Sequence, residues 1–325
     1  MNIQILTECG NKLGFGHLYR CLSLYQTFYE RKISVNLIVK SNSDISSLLR
    51  NINFEYNNWI NNYSYKPNDI YIFDSITISQ SEINNICNKV KKTVFFDDYN
   101  RFNYSSSVVI DSTVLVNKKP QVLCNDNLYL LDTKYTALRK EFWAPCKKYI
   151  RKSIKNILIT FGGSDVRSLS HKLLLLLNNS FPNIQKTIIV GPDFNNKSEI
   201  QNVANDTTSL VFSPNSDQMK QNMIDSDICI ASGGQTLYEL ASLGVPTIAI
   251  ILGENQIEDT VGWHKKGFLL NSGWWDKNGL EKNILNNINK ISNQAIRKKM
   301  SIIGQKNIDG KGTYRITDSI IKYFS

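Results

Sequence analysis

The chain has 325 residues, enough for two domains of ordinary size, and its 42% hydrophobic and 20% charged residues describe a globular protein without a disordered tail. No apolar run reaches the roughly eighteen residues that a membrane-spanning helix needs. A formal charge of +10 and a pI near 9.2 favour anionic partners, yet no dense Lys/Arg block is interleaved with aromatics, so nucleic acid is not expected as a partner. Cys9, Cys21, Cys87, Cys124, Cys146 and Cys229 lie far apart with no C-x-x-C pair. The opening residues carry no basic region or cleavage site, so reduced thiols in the cytoplasm are expected instead of zinc or disulfides.

The first half alternates short apolar strands with helix-patterned segments, the signature of a parallel α/β sheet. Residues 3–6 predict a strand that runs through Leu13-Gly14-Phe15-Gly16-His17-Leu18-Tyr19-Arg20 into a helical segment reaching Phe28. Glycine admits positive φ and close approach of a ligand. The first turn of a helix offers N–H groups and a positive dipole end to an anion. Gly14 and Gly16 are therefore candidate phosphate contacts, and His17, which titrates near neutrality, a candidate acid–base group. A glycine-rich turn with an incidental histidine fits this stretch, taken alone, equally well. Residues 35–39 predict a strand and 45–49 a short helix. Further strands at 70–73, 93–96 and 108–111 end at Asp74, Asp97-Asp98 and Asp111, with a helix over 82–91. Ligands of parallel sheets gather at these carboxyl ends. A cap or turn role is expected for Asp111 and for one of the neighbouring pair; no partner ligands mark a metal site.

The basic stretch 146–155 (CKKYIRKSIK) after Pro145 predicts a linker between a first domain, 1–145, and a second, 156–325. The second opens with a strand at 156–160 delivering Phe161-Gly162-Gly163-Ser164-Asp165, then a helix over 169–177. Strands follow at 187–190 and 210–212, and a helix over 218–226. The strand 228–231 then runs into Ser232-Gly233-Gly234-Gln235-Thr236 and a helix over 237–243, and the strand 247–251 follows Gly244-Val245-Pro246. Strand, glycine turn and helix together place backbone N–H groups around a cavity that suits a diphosphate without lysine or metal. Ser232 and Thr236 add hydroxyls, and Glu239, one turn into the helix, stands where it could accept from a ribose. Gly162 and Gly163 form a second such loop, in which Ser164 or Asp165 fits a helix cap as well as a ligand contact.

With Gly14-Phe15-Gly16-His17-x-x-Arg20, Phe96-Asp97-Asp98, Ala137-Leu138-Arg139-Lys140-Glu141-Phe142, the two glycine loops, Asn255-Gln256, Trp263-x-Lys265-Lys266-Gly267 and Asp309-Gly310-Lys311-Gly312-x-x-Arg315, the chain resembles the UDP-sugar hydrolases of the pseudaminic acid pathway. Those enzymes release UDP from UDP-2,4-diacetamido-2,4,6-trideoxy-β-L-altrose. They are similar in turn to the transferase that adds N-acetylglucosamine to the peptidoglycan lipid precursor. The resemblance implies a GT-B fold, two Rossmann-like parallel-sheet domains with an interdomain cleft and a last helix that crosses back to the first domain. It implies His17 as general base and a UDP-sugar as ligand. It also puts Asp74, Asp98, Asn255 and Gln256 on the sugar or acceptor side, and calls for no cofactor and no metal.

Two elements depart from the family. Its Arg-x-Asp-x-Ser element reads Leu6-Thr7-Glu8-Cys9-Gly10 here, and its Asp-x-Tyr reads Asp74-Ser75-Ile76. The expected function is an inverting UDP-sugar hydrolase of nonulosonic acid or surface-glycan biosynthesis. The alternative is an inverting glycosyltransferase that uses a UDP- or CMP-sugar and a glycan, protein or lipid-linked acceptor. A non-catalytic binding protein is the third reading, against which the retained His17 argues. With those contacts gone, the chain is expected to bind UDP or a related nucleotide but to handle the altrose-derived UDP-sugar poorly; the alternative is that Glu8, Ser75 or Tyr99 rebuilds the contacts from new positions. Trp274-Trp275, expected to be exposed, leaves a peripheral contact with the inner membrane face open.

Overall fold

The computed structural model describes residues 1–10, 13–42, 44–46, 49, 52–98, 100–114, 126–144 and 146–325. The chain divides into two units, one of residues 1–140 and 310–325 and one of residues 141–309. The expected helix over 45–49 falls partly outside the described residues, as do Tyr99, Cys124 and Pro145.

In the first unit the strands β1 (Asn2–Cys9), β2 (Ser34–Ser41), β3 (Phe54–Tyr56), β4 (Ile70–Asp74), β5 (Thr93–Phe96), β6 (Ser107–Asp111) and β7 (Leu128–Leu131) form one sheet in the order β3-β2-β1-β4-β5-β6-β7. All its pairings are parallel. Ile3 to Cys9 of β1 are all buried, as a central parallel strand covered on both faces requires. On one face α1 (Gly16–Glu30) packs Leu18, Leu24 and Phe28 onto Ile3, Ile5 and Ile72. On the other, Trp59 of α2 (Trp59–Asn62) and Ile83 and Ile86 of α3 (Gln80–Lys89) cover Leu6, Phe73 and Phe95. A capping box between Ser79 and Glu82 starts α3.

In the second unit β8 (Asn156–Thr160), β9 (Gln185–Val190), β10 (Thr208–Phe212), β11 (Ile228–Ser232), β12 (Thr247–Ile251) and β13 (Leu269–Trp274) form a parallel sheet in the order β10-β9-β8-β11-β12-β13. Its helices are α4 (Leu169–Ser180), α5 (Lys197–Val203), α6 (Ser216–Asp225), α7 (Gln235–Leu243), α8 (Ile257–Lys266), α9 (Leu280–Ile291) and α10 (Gln294–Asn307). Ile157, Ile159, Ile188, Ile230 and Ile248 pack against Leu173 and Leu177 of α4 and Ile284 and Ile288 of α9.

Residues 146–155, expected to be a linker, are fastened to this second unit. Lys148 donates to the carbonyls of Met223, Ile224 and Ser226, where α6 leaves acceptors unsatisfied. Asp227 accepts from the Lys155 and Asn156 N–H groups at 2.7 and 3.0 Å and from Arg151 at 3.1 Å. The fully buried Arg297 donates to the carbonyls of Arg151 and Lys152. Lys148 and Arg151 of this stretch thus serve as a carbonyl cap and an ion-pair partner.

The last helix, α11 (Gly312–Phe324), belongs to the first unit. Ile316 and Ile320 enter the core beneath α1, Ser23 and Thr313 share a 2.6 Å hydroxyl contact, and Arg31 pairs with Asp318 at 2.6 Å. This docking requires Gly312, because a Cβ there would overlap the Thr136 carbonyl. Gly312→Ala is expected to cost about 1–3 kcal/mol, the usual range for overpacking. Urea unfolding of the variant beside the parent checks this, and an unchanged midpoint would show that α11 shifts freely.

Candidate functional site

Strand order reverses between β1 and β4, and in open α/β sheets that reversal opens a crevice at the strand ends. Beyond β1 the chain closes a tight loop in which the Gly10 and Gly14 N–H groups each donate to the other's carbonyl, with Gly14 at φ +74°. Among the described residues, its chain neighbours apart, no heavy atom lies within 4 Å of where a Gly14 Cβ would be, so the glycine serves backbone shape. Gly16 then opens α1, and His17 lies in its first turn with its side chain 19% exposed.

His17 Nδ1 lies 2.7 Å from Asp74 Oδ1 at the end of β4. Arg20, one turn along α1, donates to both oxygens of Asp74 and, at 2.6 Å, to Asp98 Oδ2; its guanidinium lies 4.5 Å over the Phe96 ring. Burial alone would raise the Asp74 pKa. The charges and hydrogen bonds of Arg20 and His17 outweigh it and hold the carboxyl well below the usual carboxylate range. An ionised carboxylate only accepts, so the imidazole proton sits on Nδ1 and Nε2 is the basic nitrogen.

The expectation of Asp74 as a sugar contact is corrected here: it is 0% exposed and both oxygens are engaged by His17 and Arg20. Asp98 remains at the strand end, partly exposed, with Oδ1 buried and unpartnered among the described residues. Asp97 accepts from Arg101 and from the Phe102 N–H, and Asp111 from the Thr113 N–H and hydroxyl, both as turn residues. Burial, then the charge of Asp98, pushes Asp111 up to about 6.

The two departures from the family meet. Glu8, at the end of β1 and 0% exposed, accepts the Ile76 N–H at 2.7 Å, the Thr77 N–H at 2.8 Å and the Thr77 hydroxyl at 2.6 Å. Ser75 Oγ accepts from the Thr77 and Ile78 N–H groups. Glu8 and Ser75 are thus committed to the loop, which argues against the alternative in which they rebuild sugar contacts. Sequence reasoning missed this role of Glu8, and gave Arg20 none. The available signal was the i, i+3 spacing of His17 and Arg20, which puts both on one helix face.

In the second unit the reversal falls between β8 and β11, and both glycine loops leave those two strands. Gly162 has φ +75°, and the Gly163 carbonyl accepts the Asp193 N–H at 3.0 Å. Asp165 is 3% exposed and accepts from the Leu169 and Ser170 N–H groups and from Asn196, so its role is to cap α4. After β11, Gly234 caps α7 at φ +126° with open space where its side chain would be. A Cβ at Gly233 would meet Thr260 Oγ1 at 2.6 Å and Gln256 Cβ at 2.7 Å. Ser232 and Thr236 flank this turn half-buried, and Glu239 lies behind it at 4% exposure.

Asn255 and Gln256, expected on the sugar side, follow β12 in the second unit. Gln256 stands against the Gly233 turn and its side-chain carbonyl accepts the Leu252 N–H at 3.0 Å. Trp274 and Trp275, expected to be exposed, are half-buried. Trp275 packs on the core with Arg167 stacked 4.5 Å over its ring. Among the described residues no helix is long and apolar enough to cross a membrane.

Residues 156–311 match the glycosyltransferase family 28 C-terminal domain. The chain is 32% identical over 278 residues to the uncharacterized protein MJ1062 of Methanocaldococcus jannaschii, across 79% of this chain and 57% of that protein. It is 24% identical over 261 residues to the Helicobacter pylori pseudaminic acid cytidylyltransferase and UDP-2,4-diacetamido-2,4,6-trideoxy-beta-L-altropyranose hydrolase, across 79% of this chain and 46% of that protein. The chain thus spans about half the length of these two curated relatives. The crystal structure of Acinetobacter baumannii MurG superposes with a TM-score of 0.67 at 13% identity, across 98% of this chain and 99% of that one. The two parallel α/β units are those of the GT-B architecture.

Two outcomes follow from the charges. Arg20→Ala strands the buried Asp74 charge and is expected to destabilise the chain by about 3–5 kcal/mol at neutral pH. The loss should shrink on acidification, as the stranded carboxyl takes a proton; chemical denaturation at pH 7 and pH 5 measures both. Asp111 is raised in the folded state, so between about pH 4 and 6 the folded chain binds more protons than the unfolded one and loses stability as pH rises. Asp111→Asn keeps an acceptor for Thr113 and should gain about 1–3 kcal/mol on the parent from pH 4 to pH 7. A difference that stays flat across that window would place the titration elsewhere.

Proposed function

We propose that this chain is an enzyme that displaces UDP from the anomeric carbon of a UDP-sugar with inversion, water being the nucleophile. The observation that carries the reading is the hydrogen bond from His17 to the buried Asp74, at the reversal point of a GT-B sheet. It leaves His17 Nε2 basic in the first turn of α1, where it orients water and takes its proton as the C–O bond forms. Asp74 keeps the tautomer and stabilises the imidazolium. Positioned base catalysis of this kind contributes roughly 10²–10⁴ in rate.

The second unit supplies the leaving-group contacts in this reading. Gly162, Gly163, Gly233, Gly234, Ser232 and Thr236 surround the diphosphate, and the first-turn N–H groups of α7 stabilise the charge that develops on it. Glu239 is the proposed ribose partner. UDP is a good leaving group, so no acid has to protonate it. The Helicobacter relative, whose name includes a UDP-sugar hydrolase activity, supports water as the acceptor. A second reading, transfer of the sugar to an acceptor hydroxyl by the same base, is favoured by the family 28 match over 156–311.

Incubation with UDP-sugars, with and without acceptor glycans, separates the two. UDP release without acceptor, lost at least about a hundredfold in His17→Ala while UDP affinity is kept, is the expected result. Release only with acceptor would establish the transferase, and full turnover by His17→Ala would remove the mechanism.

A further inference from the structure

The sheet face of the first unit that α2 and α3 cover is apolar through Leu6, Ile38, Phe73 and Phe95, but it turns polar toward the amino ends of its strands. Side chains two apart on a strand share a face, so Gln4 lies beside Leu6, and Asn36 beside Ile38. Gln4 and Asp69, just before β4, are 6% and 5% exposed. Gln4 Nε2 donates to Asp69 Oδ2 at 2.9 Å, and its Oε1 accepts from Asn36 at 3.3 Å. Among the described residues no donor meets the other oxygen of Asp69. These groups line a cavity of about 260 Å³, together with Tyr63, Ser64 and Lys66 from the segment before β4 and Phe54, Glu55 and Tyr71 from the strands. Burial pushes the Tyr63 phenol up to about 12, so its hydroxyl keeps its proton at neutral pH. The cavity is separate from the crevice at His17. The length of β1 from Gln4 to Cys9, roughly 16 Å at about 3.3 Å per residue, lies between them.

The lining decides what such a cavity holds. Asp69 and Glu55 repel an anion, and Lys66 on the same wall repels a cation. Asn36 spends one of its two N–H groups on Gln4 and keeps the other and its carbonyl. Donors and acceptors thus stand side by side with aromatic rings, which suits a neutral ring that carries several hydroxyls. The volume falls just below the roughly 300–1,000 Å³ of common ligand pockets, so one ring fits and a nucleotide does not. We propose that this cavity is a second ligand site, which takes one neutral pyranose unit whose hydroxyls donate to Asp69 and accept from Asn36 and Tyr63. A free sugar and the end unit of a glycan share that chemistry. The inference stands apart from the functional reading above, because it uses none of the residues that reading uses.

Backbone-amide NMR of the full chain tests it, with separate titrations of glucose, maltotriose, inorganic phosphate and putrescine. Glucose should shift the amides of Asn36, Asn53, Ser64 and Lys66 with a Kd of about 1–10 mM and leave those of residues 14–17 in place. Phosphate and putrescine should shift none of them. Asp69→Asn, which takes the charge from the acceptor, and Ser64→Trp, which fills the cavity from an exposed position, should each weaken glucose binding at least about tenfold. Maltotriose binding more tightly than glucose would assign the site to a glycan end, and binding less tightly to a free sugar; either supports the proposal. No shift of the four amides up to about 100 mM glucose overturns it, as do shifts confined to residues 14–17. So does phosphate or putrescine binding there in place of glucose. Glucose affinity unchanged in Ser64→Trp overturns it as well, and that result can be read even if Asp69→Asn fails to fold.

Discussion

A buried carboxylate sets the terms for the first unit. Asp74 is wholly enclosed at the end of β4, and a charge there persists because Arg20 meets both of its oxygens, His17 adds a third hydrogen bond and the Cys21 thiol a weak fourth. Both partners come from one face of α1, so the ion network fixes the rotation of that helix against the sheet. Arg20 reaches on to Asp98, which ties the ends of β4 and β5 to the same helix. One guanidinium thereby joins two strand ends to the helix, and the imidazole takes its tautomer from Asp74.

The same topological device operates in both units with different chemistry. In the first, the reversal between β1 and β4 is filled by side chains: Glu8, Asp74, His17 and Arg20. In the second, the reversal between β8 and β11 is lined by backbone, because Gly162, Gly233 and Gly234 remove the side chains that would fill it. Gly233 is held to glycine by Thr260 and Gln256 pressing from α8 and the turn before it. Gly162 and Gly234 are held to it by positive φ. One crevice is lined by ionisable side chains and the other by backbone N–H groups at a helix start.

Much of this was legible in the sequence. Period and strand composition locate β1, β4, β5, β6, β8, β11 and β12 within a few residues, and the glycine loops fall where strand–turn–helix patterning puts them. Left unnamed in that reading are the three-residue β3, the half-exposed β7, the single-turn α2, the short α5 and, beyond residue 251, α8, β13, α9 and α10, although Ile284, Ile288 and Ile291 of α9 stand at helical spacing. The basic stretch 146–155 reads as a linker because nothing in its composition shows that Lys148, Arg151 and the backbone of 155–156 meet acceptors seventy-odd positions away. Asp74 reads as a ligand contact for the same reason. An aspartate at a strand end looks alike whether it faces solvent or a buried arginine, and only the i, i+3 pairing of His17 with Arg20 hints at the second.

That contrast also accounts for the uneven match to the family. A turn built from backbone needs only glycines and a helix start, so the glycine motifs of the second unit specify little else. Recognition through side chains needs particular residues, and a change at one position strands its partner unless the partner changes too. Glu8 and the Ser75-Ile76-Thr77 loop behave as such a pair. Without the loop's N–H groups the buried carboxylate on β1 would keep only Lys40, 3.8 Å away, as a charge partner, and the loop would lose its register without the carboxylate. The two departures from the family pattern, 68 and 69 positions apart in the chain at their contacts, are therefore one structural change. It reshapes the loop after β4 while leaving the His17–Asp74–Arg20 network beside it intact.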